Sequence, residues 1–305
     1  MKKTLVALLV ASAATSVNAA EIYKSDTGSV NFYGQLRTQI TFEKDKDATL
    51  DAGSSRAGVN AKYSLYPDLD ILGKVEFRIS NQAGVEDTKW DVRQHYIGFA
   101  SDMGTFTFGK QIVVADDVYG AEYSYAFGGE GLYPMGAFNS SMIKYELERD
   151  AFWLKASYSL PETDSKNPNQ ELSELFFGTS YKNLSLHAGL GQWEETSGVD
   201  INFYEATAEY TFGKTLVGFT YYHIDADVDK NNFNFAGTHQ LTDTIKPYAG
   251  YEMIKPKSGN DIDNVYLGVE FKPATWFRTY AEYAYYKEQT KDSVSKFAIG
   301  ARVYW

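Results

Sequence analysis

The sequence predicts an all-β protein, a 16-stranded antiparallel transmembrane β-barrel with an inward-folded third loop. Three observations lead to this fold class. Apolar and polar residues alternate along one short segment after another, aromatic residues make up 16% of the chain, and Pro is rare, with 7 residues. A period of two marks a strand with one apolar and one polar face. Strands of this kind that are rich in aromatic residues are typical of barrels that cross a membrane.

The last predicted strand carries the clearest signal. Phe297, Ile299 and Trp305 lie on one face, whereas Arg302 points to the other. In a soluble protein this face would leave aromatic side chains uncovered. In a bilayer Phe297 and Trp305 have a natural place as interfacial anchors at its two ends. We expect this strand to pair with residues 30–42 and seal the wall, because an open sheet edge does not survive in lipid.

The first residues predict an export signal. Lys2 and Lys3 precede an apolar run at 5–10 and several small residues, which is the pattern of a signal peptide over 1–19. The apolar run is shorter than the roughly 18 residues that indicate a membrane-spanning helix. Residues 20–305 are therefore expected to form one barrel domain, since only helices and closed barrels satisfy every main-chain group in lipid.

Composition and charge exclude several classes of function. Cys is absent, so neither disulfides nor thiolate chemistry is available. The formal net charge of −11 argues against a nucleic-acid partner, which requires a basic surface, and is compatible with attraction of cations. The acidic segment 225–230 lacks the glycine and the distal glutamate of a calcium-binding EF-hand loop. We therefore expect neither a metal nor another cofactor.

The wall strands are recognised by their alternation. Along the first strand, Leu36 and Ile40 share one face and Gln35 and Arg37 take the other. The second and third strands likewise place charged residues opposite apolar ones. The sixteen predicted strands are 29–43, 54–66, 70–80, 90–101, 104–111, 139–148, 150–160, 171–182, 183–193, 201–213, 214–226, 233–242, 245–254, 262–272, 275–287 and 294–305.

The connections between these strands alternate in length. Short turns are predicted at 66–68, 101–104, 149–150, 182–183, 212–214, 242–244 and 272–274. The loops between them are mostly longer and polar. Membrane barrels have this asymmetry, with short periplasmic turns and long external loops. A soluble β-sandwich or propeller, the alternative fold, does not require it.

The connection at 111–138 stands apart. It exceeds the roughly 12–15 residues above which loops without secondary structure are uncommon. Its aromatic residues make it too apolar for a disordered surface segment. We expect it to pack against the barrel interior. Its candidate acidic residues are Asp116, Asp117, Glu122 and Glu130.

Several motifs resemble those of a known family, the trimeric general diffusion porins of Gram-negative outer membranes. Residues 20–23 are similar to the mature start of these porins, and residues 32–34 to their first-strand Tyr-Gly motif. The segment 102–110 resembles the strand that leads into their constriction loop, and residues 127–129, Phe-Gly-Gly, resemble a turn within that loop. The resemblance spans the whole mature chain, and its motifs are specific mainly at the two ends and from 92 to 129.

The resemblance implies a pore for passive diffusion of small hydrophilic solutes and ions. In this family the third loop narrows the pore, and its carboxylates face basic side chains on the opposite wall. Arg56 and Arg93 match two of the basic positions. Arg37 is the expected substitute for a lysine whose position Gln35 occupies. Lys144 has the inward parity on the strand after the loop, where a family arginine is missing.

On the acidic side, Glu122 and Glu130 match positions that are acidic in the family, whereas Ala126 stands where the family has an acid. Asp116 and Asp117 complete the expected acidic group. Opposed charges across a narrow water-filled gap favour small polar solutes, and selectivity follows from the pore radius and the sign of the lining charges. With so acidic a chain, we expect mild cation selectivity.

The resemblance also implies a location and partners. The protein is expected in the outer membrane of a Gram-negative bacterium, as a homotrimer in contact with lipid and lipopolysaccharide. Phe297 and Trp305 are the expected assembly signal, read by the barrel assembly machinery.

Two other kinds of function have to be weighed. A barrel enzyme needs a nucleophile or an activated water with a histidine and a carboxylate. The four histidines lie on different strands without a repeated partner spacing, so we expect no enzymatic activity. A substrate-specific sugar porin, or a surface adhesin or receptor, stays open. The aromatic residues that could stack against sugar rings are Tyr119, Tyr123, Tyr125 and Trp193.

Overall fold

The computed structural model describes residues 19–80, 89–162, 170–194, 198 and 200–305. The predicted signal peptide, 1–19, lies outside these residues except for Ala19. Within the described ranges, no helix is long and apolar enough to cross a membrane.

Secondary structure in these ranges is β-strand apart from one helix of five residues. The strands are β1 (Ala20–Lys24), β2 (Gly28–Glu43), β3 (Thr49–Asp51), β4 (Arg56–Tyr66), β5 (Leu69–Ser80), β6 (Lys89–Ser101), β7 (Gly104–Ile112), β8 (Phe138–Glu148), β9 (Phe152–Ser159), β10 (Glu171–Tyr181), β11 (Leu184–Glu194), β12 (Asp200–Phe212), β13 (Thr215–Asp225), β14 (Lys230–His239), β15 (Ile245–Pro256), β16 (Ile262–Ala274), β17 (Phe277–Glu288) and β18 (Val294–Tyr304). The helix is α1 (Val114–Val118), between β7 and β8.

The sheet closes on itself as a 16-stranded antiparallel barrel, which confirms the predicted all-β barrel. From β4 to β18 each strand pairs with the next, and β18 then pairs with β2. The short strands β1 and β3 do not add to the wall as separate members. Each pairs with β2 over a stretch that β18 or β4 leaves uncovered.

The seam of the barrel joins β18 to β2, and β1 completes it. Residues 296–304 pair with residues 35–43 of β2, and Trp305 exchanges two main-chain hydrogen bonds with Gly34, of 2.9 and 3.1 Å. Ala20 of β1 then lies opposite Phe32. The predicted pairing of the last strand with β2 is therefore confirmed for residues 34–42 and wrong for residues 30–32, which pair with β1. The last strand ends before it covers β2, and β1 covers the remaining edge.

The wall side chains alternate between an exposed apolar face and a buried polar face. On β2, Leu36 is 51% exposed whereas its neighbour Gln35 is 3% exposed. On β17, Tyr283 is exposed whereas Glu282 is 1% exposed. Successive side chains of a strand point to opposite faces, and β10 and β12 also alternate in burial, although their buried face carries apolar residues such as Phe176 and Phe203 as well as polar ones. It is the arrangement that a barrel in lipid requires.

Most predicted strand bounds agree with the structure within a few residues, and one strand is displaced. The strand predicted at 233–242 is found at Lys230–His239. The residues after it form a turn in which Leu241 N donates to Ile245 O at 3.0 Å. Alternation does not show where a strand stops, because turn hydrogen bonds decide that point.

Candidate functional site

The connection between β7 and β8, here called the β7–β8 loop (113–137), binds the polar face of the wall. Its first contact is at α1, where Val114 N and Ala115 N donate to the two carboxylate oxygens of Glu174 on β10, each at 2.8 Å. Ser157 Oγ donates to the same carboxylate at 2.6 Å. The helix has no side-chain cap of its own. Glu174 therefore satisfies main-chain donors that a helix start leaves unpaired.

The tip of the loop is held by a second wall carboxylate, Glu282 on β17. Its donors are Tyr125 N at 2.7 Å, Phe127 N at 2.9 Å, Ala126 N at 3.2 Å and Ser124 Oγ at 2.6 Å. Hydrogen bonds to an ionised acceptor are roughly twice as strong as neutral ones. One buried carboxylate thus fixes four donors of a turn that has no regular secondary structure.

Further contacts continue along the loop. Gly129 N donates to Glu252 on β15, which also accepts from Asn264 at 2.9 Å. Asn264 in turn donates to Phe127 O at 2.8 Å. On the other side of the tip, Ala121 N donates to Thr220 Oγ1 at 2.7 Å. The loop is therefore bound at many points to polar side chains of the wall.

The four predicted acidic residues occupy different environments. Asp117 lies between two lysines of the wall, Lys144 at 3.0 Å and Lys155 at 2.6 Å. Burial disfavours its charged form, but the two ammonium groups outweigh burial and lower the pKa of Asp117 to about 2. Lys144 was predicted as part of a basic wall opposite the loop. The structure instead places it in contact with the base of the loop.

Asp116 and Glu122 are both largely enclosed by protein. Burial raises the pKa of Asp116, although its carboxylate accepts a hydrogen bond from Tyr133 Oη. Burial likewise raises the pKa of Glu122, to about 8, while the main-chain N–H of Ser124 donates to it. Glu130, in contrast, is exposed. Among the described residues no cation lies within ion-pair distance of Glu130, so it is the loop carboxylate most open to passing ions.

The structure brings Arg56 and Arg93 together at one wall carboxylate, Glu76. Arg93 Nη1 lies 3.1 Å and Arg56 Nε 3.6 Å from its oxygens, and Tyr33 Oη donates to it at 3.0 Å. The guanidinium of Arg93 also packs 4.5 Å from the ring centre of Phe138. These two predicted basic residues are neighbours, and their charge is partly balanced by Glu76.

Arg37 belongs to a different group. It lies directly opposite Arg302 on β18, which lies directly opposite Arg278 on β17. Arg302 Nη2 donates to Tyr125 O at the loop tip, at 3.2 Å. Arg278 and Arg302 are not among the predicted constriction residues. Two features of the sequence could have indicated this group. Arg302 falls on the polar face of the last strand, and closure of that strand on β2 brings Arg302 next to Arg37.

The wall glutamates that bind the loop are also absent from the prediction. Glu174, Glu252 and Glu282 are each almost fully buried on the polar face. Their inward parity is visible in the sequence, but their partners are main-chain N–H groups of the loop. A sequence does not reveal such pairs, because they depend on where an irregular segment lies.

Within the described ranges the four histidines do not come together in one centre. Three have separate polar partners on adjacent strands: His187 with Glu205 at 2.9 Å, His223 with Asn231 at 3.1 Å and His239 with Thr215 at 2.8 Å. In the part of the chain that the structure describes, no three His, Cys, Asp or Glu side chains form a group that could hold a metal ion.

Comparison with known proteins identifies the family. The family described as Gram-negative porin matches residues 6–293. The chain belongs to the Gram-negative porin family. This confirms the resemblance found in the sequence, the outer-membrane location and a pore-forming function. It also indicates a channel and not an enzyme.

Individual relatives of this porin agree in sequence and in structure. Porin-like protein H of Photobacterium profundum is 30% identical over 251 residues, which cover 80% of this chain and 72% of the relative. In-vitro folded OmpT, an outer membrane protein of Vibrio cholerae, is 42% identical with a TM-score of 0.82, over 94% of this chain and 100% of OmpT. A trimer form of OmpT is 41% identical with a TM-score of 0.82, over 92% of this chain and 100% of OmpT.

Proposed function

We propose that this porin allows passive diffusion of small hydrophilic solutes and ions, with a mild preference for cations. The observation that carries the proposal is the binding of the β7–β8 loop to the polar face of the wall. The apolar face of the barrel has to contact lipid, so the polar face surrounds the lumen. A loop bound to that face lies in the lumen and narrows it.

The charges near the loop support a preference for cations. Glu130 is exposed, whereas Arg56 and Arg93 share the carboxylate of Glu76. The whole chain carries a formal charge of −11. Fixed negative charge in a water-filled constriction raises the local concentration of cations.

Reversal potentials in a KCl gradient across a planar bilayer test this selectivity. We expect the reversal potential to be shifted towards the equilibrium potential of potassium. The shift should be larger near 0.1 M salt, where the screening length is about 10 Å, than near 1 M salt, where the screening length is about 3 Å. Glu130→Gln should reduce it. Glu148→Gln, which makes the same charge change at the exposed last residue of β8, is the matched control and should have little effect. Anion selectivity of the wild type would refute the cation preference.

General diffusion is favoured over a sugar-specific path because the candidate aromatic residues are engaged in packing. Trp193 is buried in a hydrophobic cluster that also contains Phe203 and Tyr222. The hydroxyl groups of Tyr123 and Tyr125 donate to wall glutamates. These rings anchor the loop and offer no continuous stacking surface. We expect the conductance in sugar-free solution to rise linearly with salt concentration. Added sugars should give no saturable block of the current.

Assembly is proposed from the relatives and from the seam of the barrel. A trimer form of OmpT supports a homotrimer, which slower migration of unboiled protein on a gel would test. Phe297 and Trp305 are proposed as the assembly signal for the barrel assembly machinery. Residues 1–19 are proposed as a signal peptide, and lipopolysaccharide as a neighbour of the exposed apolar face.

A further inference from the structure

Three arginines on neighbouring strands form a group of like charges, here called the arginine cluster: Arg37 on β2, Arg302 on β18 and Arg278 on β17. Arg302 lies directly opposite each of the other two in the strand register. Residues directly opposite each other have Cβ atoms about 4.5–5.5 Å apart, and like charges in this arrangement are destabilising. The cluster therefore requires compensating negative charge.

The protein supplies little of that charge. Glu270 lies 2.9 Å from Arg278 Nη1, but it also binds Lys246 at 3.2 Å. Among the residues that the structure describes, no carboxylate oxygen lies within 4.0 Å of Arg37 or Arg302. The Nε atoms of all three arginines are buried and have no hydrogen-bond partner. Buried donors of this kind usually have a partner, so the positive charge of the cluster is incompletely compensated by the protein.

Aromatic rings hold two of the guanidinium groups in place. Arg302 Cζ lies 4.6 Å from the ring centre of Tyr125 and 5.4 Å from that of Tyr280. Arg278 Cζ lies 5.2 Å from the ring centre of Tyr304. Such cation–π contacts limit the motion of the side chains. A group that is already ordered loses less entropy when it binds a ligand.

We propose that the arginine cluster binds a small polyvalent oxyanion of the phosphate class at the pore wall beside the loop tip. The planar guanidinium group presents donors in a fork that matches the oxygens of phosphate. Three guanidinium groups and Lys246 share one carboxylate, Glu270, which leaves three positive charges. A divalent oxyanion neutralises two of them.

Binding at this position changes selectivity, a consequence that rests on the proposed cation preference. The cluster contributes positive charge to the wall and opposes the carboxylates near the loop. A bound divalent anion reduces that contribution by two charges. Inorganic phosphate should therefore make the pore more cation-selective, and the effect should saturate as the cluster fills.

The proposal is tested by measuring reversal potentials of the purified porin in a fixed KCl gradient across a planar bilayer. Inorganic phosphate is added at constant ionic strength. The expected result is a saturable shift towards the potassium potential. Arg302→Gln should weaken phosphate binding and raise the half-saturating phosphate concentration by about tenfold or more, since a hydrogen bond to a charged group contributes about 1.5–3 kcal/mol. Arg37→Gln serves as a second variant in case Arg302→Gln does not fold.

The matched control is Arg78→Gln. Arg78 lies on the polar face of β5 and pairs with Asp91 at 2.7 Å, so the variant removes a guanidinium group that already has a carboxylate partner. Its phosphate response should equal that of the wild type. A wild-type response without saturation, or equal responses of Arg302→Gln and Arg78→Gln, would overturn the proposal. Anion selectivity in KCl alone would instead refute only the cation preference, because the phosphate-dependent shift is measured separately.

Discussion

The base and the tip of the β7–β8 loop are fixed to the wall by different arrangements of charge. At the base, Asp117 lies between Lys144 and Lys155, and Glu146 lies 3.2 and 3.7 Å from the same lysines. Two cations and two carboxylates are thus in balance. At the tip, Glu282 binds main-chain N–H groups, and the positive charge of the nearby arginine cluster is only partly compensated.

The difference separates the anchoring of the loop from the uncompensated charge on which the proposed ion selectivity depends. A buried and balanced group presents no net charge to the lumen, so the base holds the loop without attracting ions. The tip leaves positive charge of the arginine cluster uncompensated beside it, and under the proposed function this charge acts on passing ions. Loop position and ion selectivity are therefore expected to respond to different substitutions.

Removing the carboxylate at the base should have the largest effect on stability. Asp117→Asn leaves two buried lysines with only Glu146, and breaking a buried ion pair from one side costs about 3–5 kcal/mol. The measurement is the temperature at which heating converts the folded form into the unfolded form on a gel, and this temperature should be lower for Asp117→Asn than for the wild type. Asp150→Asn, in an exposed turn, is the matched control. Equal stability of the two variants would show that the base does not anchor the loop.

A substitution at the tip should act mainly on the current. Glu282→Gln keeps one acceptor oxygen but removes the charge that strengthens four hydrogen bonds, a loss of about 2 kcal/mol. Single-channel current should fluctuate more, because the tip is then held less tightly. The control is Glu174→Gln, which makes the same change at the base. Unchanged current noise in Glu282→Gln, or equal noise in both variants, contradicts the separation of base and tip.

The tip should also depend on pH through Glu122. Burial raises the pKa of Glu122 from its ordinary value of 4.5 to about 8. The folded state therefore favours the protonated form, and its stabilising contribution is complete below pH 4.5 and is lost as pH rises through about 8. Heat stability should decline over this window in the wild type and decline less in Glu122→Gln. Parallel curves for the two proteins would contradict the assignment.

The smallest effect on transport is expected at the seam. The ring of Trp305 packs over Gly34 and near Phe32, with ring centres of Trp305 and Phe32 6.1 Å apart. Trp305→Ala keeps the main-chain bonds but loses this packing. The amount of folded barrel should fall, whereas the conductance of each surviving channel should stay nearly unchanged. Altered conductance at normal abundance would refute a role in assembly alone.

Several features of the wall could be predicted because they depend on local periodicity. Leu36 and Gln35, or Phe297 and Arg302, fall on opposite faces in any strand, whatever its neighbours. The same parity indicated that Arg37 and Arg56 share the polar face, and the family resemblance added Arg93 to them. It did not indicate which of them act together. Arg56 and Arg93 meet at Glu76, whereas Arg37 lies opposite Arg302, because strand register decides which inward residues are neighbours.

The contacts of the loop could not be predicted, for a different physical reason. Lys144 and Asp117 were assigned to opposite sides of a constriction, yet they lie 3.0 Å apart. The loop has no periodic pattern, so its path depends on contacts with residues that are distant in the sequence. Ser124 and Glu282, for example, are 158 positions apart and 2.6 Å apart in space.

By itself the sequence determined that this chain forms a closed barrel with one apolar and one polar face. The reason is that strand alternation and the need to satisfy every main-chain group in lipid leave few other folds. Only the tertiary structure decided which charges of the polar face are balanced and which are not. Balance depends on distances of a few ångströms between residues on different strands, and closure of the barrel sets those distances.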